Sequence, residues 1–115
     1  MAPPSQLSIA TSSLNRLVKE EASYHKELEQ QQASIAKLEQ GGSSDENAEY
    51  TLKQERRAVE ETKAIFPQLR QKIQDALARL EQQLDNGPGD QSTPEEVTKA
   101  KEAAVGAKHA LEEIA

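Results

Sequence analysis

From Leu14 onward the apolar residues return at helical spacing: Leu17, Val18, Tyr24, Leu28, Ile35 and Leu38 continue one narrow stripe, interrupted by Glu21, Gln31 and Gln32. The hydroxyls of Thr11, Ser12 and Ser13 can cap its start, and Gly41 with Gly42 can supply a left-handed turn at its end. The pattern predicts a first helix over about 12–40. A second stripe, Leu52, Val59, Phe66, Ile73 and Leu80, repeats every seven residues and is flanked by Leu69, Ala76, Leu77 and Leu84. It predicts a helix over about 45–85, opened by a capping box of Ser43 and Glu46. Pro67 lies inside this repeat without shifting its register, and neither a glycine nor a polar turn cluster lies beside it. Proline has no amide hydrogen for the carbonyl four residues back, and in a helix interior it costs about 3 kcal/mol relative to alanine. The expectation is therefore one helix bent at Pro67.

The stretch "DNGPGDQS", residues 85–92, stops the second helix, and "TPEE" starts a third. Thr93 is the cap, Pro94 takes the first helical position, and Glu96 stands where it can close a capping box. The third stripe is Val97, Ala100, Ala104, Ala107, Leu111 and Ile114, which predicts a helix over 94–114. Three helices joined by short loops alternate in direction and hide their stripes together. The predicted fold is thus all-α, an antiparallel up-down-up three-helix bundle with coiled-coil-like packing, over residues 12–115 after a flexible N-terminus of residues 1–11. Glu49 with Lys53, Asp75 with Arg79, and Glu95 with Lys99 have the spacing of exposed ion pairs along a helix.

Composition narrows what such a bundle can do. Leu, Ile, Val and Phe make up 21 of 115 residues, below the roughly 20% level at which disorder becomes a serious alternative. The periodicity answers that warning, because a narrow stripe per helix needs fewer apolar residues than a globular core. With 14 basic and 20 acidic residues the net charge is -6, and the only aromatics are Tyr24, Tyr50 and Phe66. No nucleic-acid partner is expected, since a net acidic chain repels phosphates unless its charges are strongly segregated, and no base-stacking platform is available. No apolar run is as long as a membrane span, and no amphipathic stretch has the aromatic face and lysine-rich flank of a membrane-surface helix. The absence of cysteine fits a reducing compartment, so the chain reads as soluble and cytoplasmic.

Candidate chemistry is sparse. His25 and His109 are the only histidines, and neither follows a glutamate by three residues, so the metal-binding pairs of di-iron bundles are missing. "GPGD" is not followed by the Gly-Lys-Ser/Thr of a phosphate loop. A thin bundle has little room for a pocket that would shift a carboxylate toward general acid work. No enzyme, no metal and no cofactor is expected, which leaves protein binding through the outer faces.

The stretch "RLVKEEASYHKELEQQ", preceded by "LSIATSS" and followed after the loop by "YTLKQ", resembles the tubulin-binding cofactor A family of tubulin-specific chaperones. Arg16, Leu17, Lys19 and Glu20 match its Arg-Leu-x-Lys-Glu core, and Tyr24, Lys26 and Glu27 match the Tyr-x-Lys-Glu step that follows. Tyr50, Lys53, Glu61 and Pro67 also stand where the family places similar residues. The likeness covers roughly residues 7–85 and fades in the third helix; Ser12 replaces a common glycine, and both loops are longer than usual. It implies a chaperone that holds β-tubulin after the chaperonin and passes it on for heterodimer assembly, with other tubulin-folding cofactors as further partners. The chain would act as a monomer or weak homodimer, in the cytoplasm, associated with the microtubule system.

Tubulin is itself acidic, so basic positions must offset the repulsion between net charges. Seven of the 14 basic residues fall on the second helix. The candidate partner-binding residues are Arg16, Lys19, Glu20, Lys53, Arg56, Arg57, Glu61, Lys63 and Arg70, with Tyr24 and Pro67 in structural roles. The alternative reading is a scaffold or tether that self-associates through its apolar stripes. Glu21 and Gln31 on the first stripe, and two loops that fold the chain back on itself, disfavour it.

Overall fold

The computed structural model describes residues 5–41, 46–87 and 92–114. Three helices account for nearly all of them: α1, Gln6–Gln40; α2, Glu46–Asp85; and α3, Pro94–Ile114. No strand occurs among the described residues. The second and third helices fall where the periodicity placed them, and α2 continues through Pro67.

The first helix starts earlier than expected, at Gln6. Ser5 is the cap: its Oγ accepts the amide of Ser8 at 3.1 Å. Thr11 is well inside the helix, buried, and donates its hydroxyl to the carbonyl of Leu7 at 2.8 Å. Leu7 and Leu14, one heptad apart, are 2% and 0% exposed. The apolar stripe thus begins at Leu7, and burying that side chain is what carries the helix past the hydroxyls that looked like caps. Gly41 is not in the left-handed region. Gly41 closes α1 by donating to the Lys37 carbonyl at 2.9 Å, but among the described residues the one positive φ belongs to Gly87, at 91°, just past α2. Gly42 and Ser43, and with them the proposed box at the start of α2, lie outside the described residues.

The chain divides into two compact units, 1–20 with 69–115, and 21–68. In the first unit, segments of all three helices share one core. Leu7 and Leu14 from α1, Leu69, Ile73, Leu77 and Leu80 from α2, and Ala100, Ala103, Ala104, Ala107 and Ala110 from α3 are buried. The alanines of α3 let its backbone approach the leucines of the other two helices closely. Residues 6–13 of α1 and residues 76–83 of α2 line one shallow groove. At its start α3 is capped as expected, with Thr93 Oγ1 accepting the Glu96 amide at 3.2 Å. The Glu96 carboxylate does not close the box. It accepts the hydroxyl of Ser5 instead, tying the first turn of α3 to the cap of α1.

The second unit is a hairpin of α1 residues 21–40 and α2 residues 46–68. His25 stacks on Phe66, with ring centroids 4.5 Å apart and planes at 28°. Toward the other end Arg56 Nη2 bonds Glu39 Oε1 at 3.1 Å, so these segments are antiparallel. Val59 is its one buried apolar side chain among the described residues. Leu28, Ile35, Leu38, Leu52, Ile65 and Phe66 are half-buried. Glu21, read from the sequence as a break in the stripe, is 3% exposed, its carboxylate meeting His25 Nε2. The stripe continues through a buried acid because the imidazole one turn later supplies a partner.

Candidate partner-binding site

The candidate residues fall into two groups. Arg16, Lys19 and Glu20 project from α1 in the first unit at spacings of three and four, one face of a helix, and all three are exposed. Arg70, in the same unit on α2, is half-buried. Lys53, Arg56, Arg57, Glu61 and Lys63 are exposed on α2 within the second unit. Of these, Lys53, Arg56 and Arg57 come together, lining with Gln54 and Glu60 an open groove of about 490 Å³. Tyr24 is half-buried and Pro67 exposed.

Their electrostatic states differ. Arg56 is committed to Glu39 across the hairpin, and Lys63 lies 3.9 Å from Glu60, one turn before it. The three ion pairs expected along the helices, Glu49 with Lys53, Asp75 with Arg79 and Glu95 with Lys99, do not form. Asp75 instead accepts the side-chain amide of Gln71 at 3.0 Å. Such exposed pairs gain only about 0.3–0.5 kcal/mol, which the entropy of fixing two long side chains offsets. Lys53 is thereby left without a partner, as is Arg57.

Two exposed apolar features were not among the candidates. Tyr50, 65% exposed, precedes Lys53 by three residues and Arg57 by seven, and so stands on the same face of α2. Its position in the sequence could have signalled this, since it lies off the Leu52–Val59 stripe. Ile9 and Val105, 52% and 57% exposed, belong to the first unit, and the helical spacing of Ile9 could be read only once α1 was known to start before residue 12.

Among the described residues no group of three or more His, Cys, Asp or Glu side chains is placed to hold a metal. No helix is long and apolar enough to cross a membrane. What the α2 face of the second unit can do is present an aromatic ring and unpaired cations on a rigid helix, a combination suited to holding an acidic surface.

The tubulin binding cofactor A family matches residues 2–104. The tubulin-specific chaperone A of Saccharomyces cerevisiae is 37% identical over 109 residues, covering 95% of this chain and 96% of its own. The tubulin-folding cofactor A of Arabidopsis thaliana is 34% identical over 84 residues, 73% of this chain and 71% of its own. Among solved structures, Rbl2p, described as a β-tubulin binding post-chaperonin cofactor, superposes with a TM-score of 0.80 at 35% identity, covering 94% of this chain and 99% of that one. The crystal structure of the Arabidopsis cofactor gives a TM-score of 0.76 at 31% identity, with 90% and 92% covered. A family match over nearly the whole chain, with a relative 37% identical over almost its full length and a solved structure that superposes on 94% of the chain, means that the chain belongs to the tubulin binding cofactor A family.

Proposed function

We propose that this protein is a tubulin-folding cofactor that captures β-tubulin after its release from the chaperonin and passes it on toward assembly of the α/β heterodimer. The observation that carries the reading is the likeness to Rbl2p, a β-tubulin binding post-chaperonin cofactor, which spans 94% of this chain. Members of this family are chaperones, binding proteins and not enzymes, and capture of this kind requires no nucleotide or metal. The work is done in the cytoplasm, where tubulin folds, with other tubulin-folding cofactors receiving the captured subunit. A monomer or a weak homodimer suffices for it, since α3 closes the core of the first unit within one chain.

The contact residues are assigned as Lys53, Arg56, Arg57, Glu61 and Lys63 on the hairpin, with Arg16, Lys19, Glu20 and Arg70 on the three-helix unit. A soluble folding intermediate of an acidic protein needs local cations on its holder to overcome the repulsion between net charges. The experiment is a pull-down of β-tubulin from a chaperonin-coupled translation, with the wild type and with Arg56→Glu combined with Arg57→Glu. Capture by the wild type and a marked loss in the variant, with helix content unchanged by circular dichroism, is the expected result. Failure of the wild type to retain β-tubulin defeats the reading.

A further inference from the structure

We infer that the outer face of α2 formed by Tyr50, Lys53 and Arg57 is a docking surface for an acidic, extended polypeptide segment that also carries an aromatic side chain. The inference rests on the function proposed above only for where such a segment would come from, the captured client.

Three observations converge on this face. The first is the state of its cations. In a chain of net charge -6, acids are the commonest neighbours available, and Lys53 has one in reach at Glu49, four residues before it. That pair does not form, and Arg57 likewise makes no ion pair. Unpaired cations keep their full attraction for an incoming carboxylate, whereas Arg56 beside them is already held by Glu39. The second is shape. Lys53 and Arg57 stand one turn apart and both line the open groove of about 490 Å³. They project from a helix, so their spacing is set before any partner arrives. The third is Tyr50, 65% exposed on the same face. An exposed tyrosine beside arginine and lysine has the composition that carries binding energy at protein interfaces, where a ring supplies contact area at low conformational cost and arginine clamps a carboxylate through two hydrogen bonds.

The occupant follows from charge complementarity. Carboxylates spaced along an extended chain can meet Lys53 and Arg57 in succession, and an aromatic side chain two or three residues away reaches the Tyr50 ring. A polyphosphate backbone is a poorer fit, because it offers no aromatic side chain to the Tyr50 ring.

The test uses the full chain and two fluorescein-labelled peptides, one a short poly-glutamate and one the same peptide with a central phenylalanine, read by fluorescence anisotropy at low and moderate salt. The expected result is binding of both, weakened by salt, with the phenylalanine peptide held several-fold more tightly. Lys53→Glu combined with Arg57→Glu should weaken both by about tenfold or more. Tyr50→Ala should abolish the preference for phenylalanine and leave the poly-glutamate affinity unchanged. Lys72→Glu combined with Lys101→Glu makes the same change of charge in the other unit and should leave binding within about twofold. The inference is overturned if the wild type binds neither peptide at low salt, if the Lys72/Lys101 variant loses as much as the Lys53/Arg57 variant, or if polyphosphate of equal charge displaces the peptides at lower concentration than unlabelled peptide does. Capture of β-tubulin, measured in parallel, separates this surface from the wider function. Peptide binding without tubulin capture leaves the face standing and removes the client, and undiminished capture by the Lys53/Arg57 variant removes the face and leaves the function.

Discussion

The two units of this chain are made from the same two long helices, and they bury different things. Where α3 is present, the apolar stripes of α1 and α2 close into a core in which Leu7, Leu14, Ile73 and Leu80 are almost completely covered. Where α1 and α2 pair alone, the same seven-residue repeat leaves its leucines and isoleucines half-exposed, and among the described residues Val59 is the one buried apolar side chain. Two helices can shield only the seam between them; a third is needed to cover the flanks. The hairpin makes up part of the difference with polar contacts, Glu21 against His25, His25 on Phe66, and Arg56 across to Glu39. The repeat in the sequence sets which residues face inward, and the number of neighbouring helices sets how far inward they go.

The largest effect should come from the three-helix core. Leu80→Ala removes a side chain with 0% exposure, and such truncations cost about 2–5 kcal/mol. Leu38→Ala removes an equal side chain from the half-covered seam of the hairpin and should cost less than half as much, because the remaining side chains and solvent can fill the space. Urea denaturation of both variants, followed by circular dichroism, checks the contrast. Equal losses would mean that the hairpin stripe is covered by something other than α1 and α2.

Pro67 lies one residue before the boundary between the units on α2. Its missing amide leaves the Lys63 carbonyl without an intrahelical donor. Pro67→Ala restores that bond and should raise the melting temperature, with a gain in stability of at most about 3 kcal/mol. If bending at this point helps to hold a client, the same variant should capture β-tubulin less well. A stabilised variant with unchanged capture would show that the proline is tolerated and not used.

His25→Ala tests the polar substitute for a core. It leaves the Glu21 carboxylate 3% exposed with its imidazole partner gone, and a buried acceptor without its donor costs about 1–3 kcal/mol. It also strips the ring that covers Phe66. His25→Ala combined with Glu21→Leu should recover much of the loss, since a buried pair replaced by apolar groups is often no less stable. A double variant as unstable as the single one would place the contribution of His25 in its stacking on Phe66 and not in its hold on Glu21.

These contrasts also mark what could be read from the residues alone. Helices α2 and α3 were legible to within a residue because a heptad stripe, a proline at the first helical position and a Gly-containing stop are local signals. The start of α1 was not, because Thr11, Ser12 and Ser13 offer a cap by composition. The bond from the Ser8 amide to the Ser5 hydroxyl and the burial of Leu7 show that Ser5 is the cap. Glu21 looked like an interruption for the same reason: a lone carboxylate in a stripe is read as exposed until the partner beside it is known to cover it. At the candidate face, the residue types were visible and their states were not. Whether Lys53 pairs with Glu49 or stays unpaired is decided by a few tenths of a kcal/mol of side-chain entropy and screening, which spacing does not encode. Arg56 could not be told from Arg57 without seeing Glu39 across the hairpin.

That last distinction gives the smallest expected change in stability and the finest test of the hairpin face. Arg56 and Glu39 are both at least half-exposed, and exposed pairs of this kind contribute about 0.2–1 kcal/mol, less at high salt. Glu39→Gln should therefore lower stability by no more than that, and the difference should fade as salt is added. The same substitution removes a carboxylate that competes for Arg56 beside the unpaired Lys53 and Arg57. A third cation then becomes available on the groove, so acidic peptide should bind more tightly in the variant even though the protein is slightly less stable. Opposite signs for stability and binding are what a pair that restrains the face would produce. If both fall together, the Glu39 bond holds the groove in its binding shape, and Arg56 acts as part of the frame.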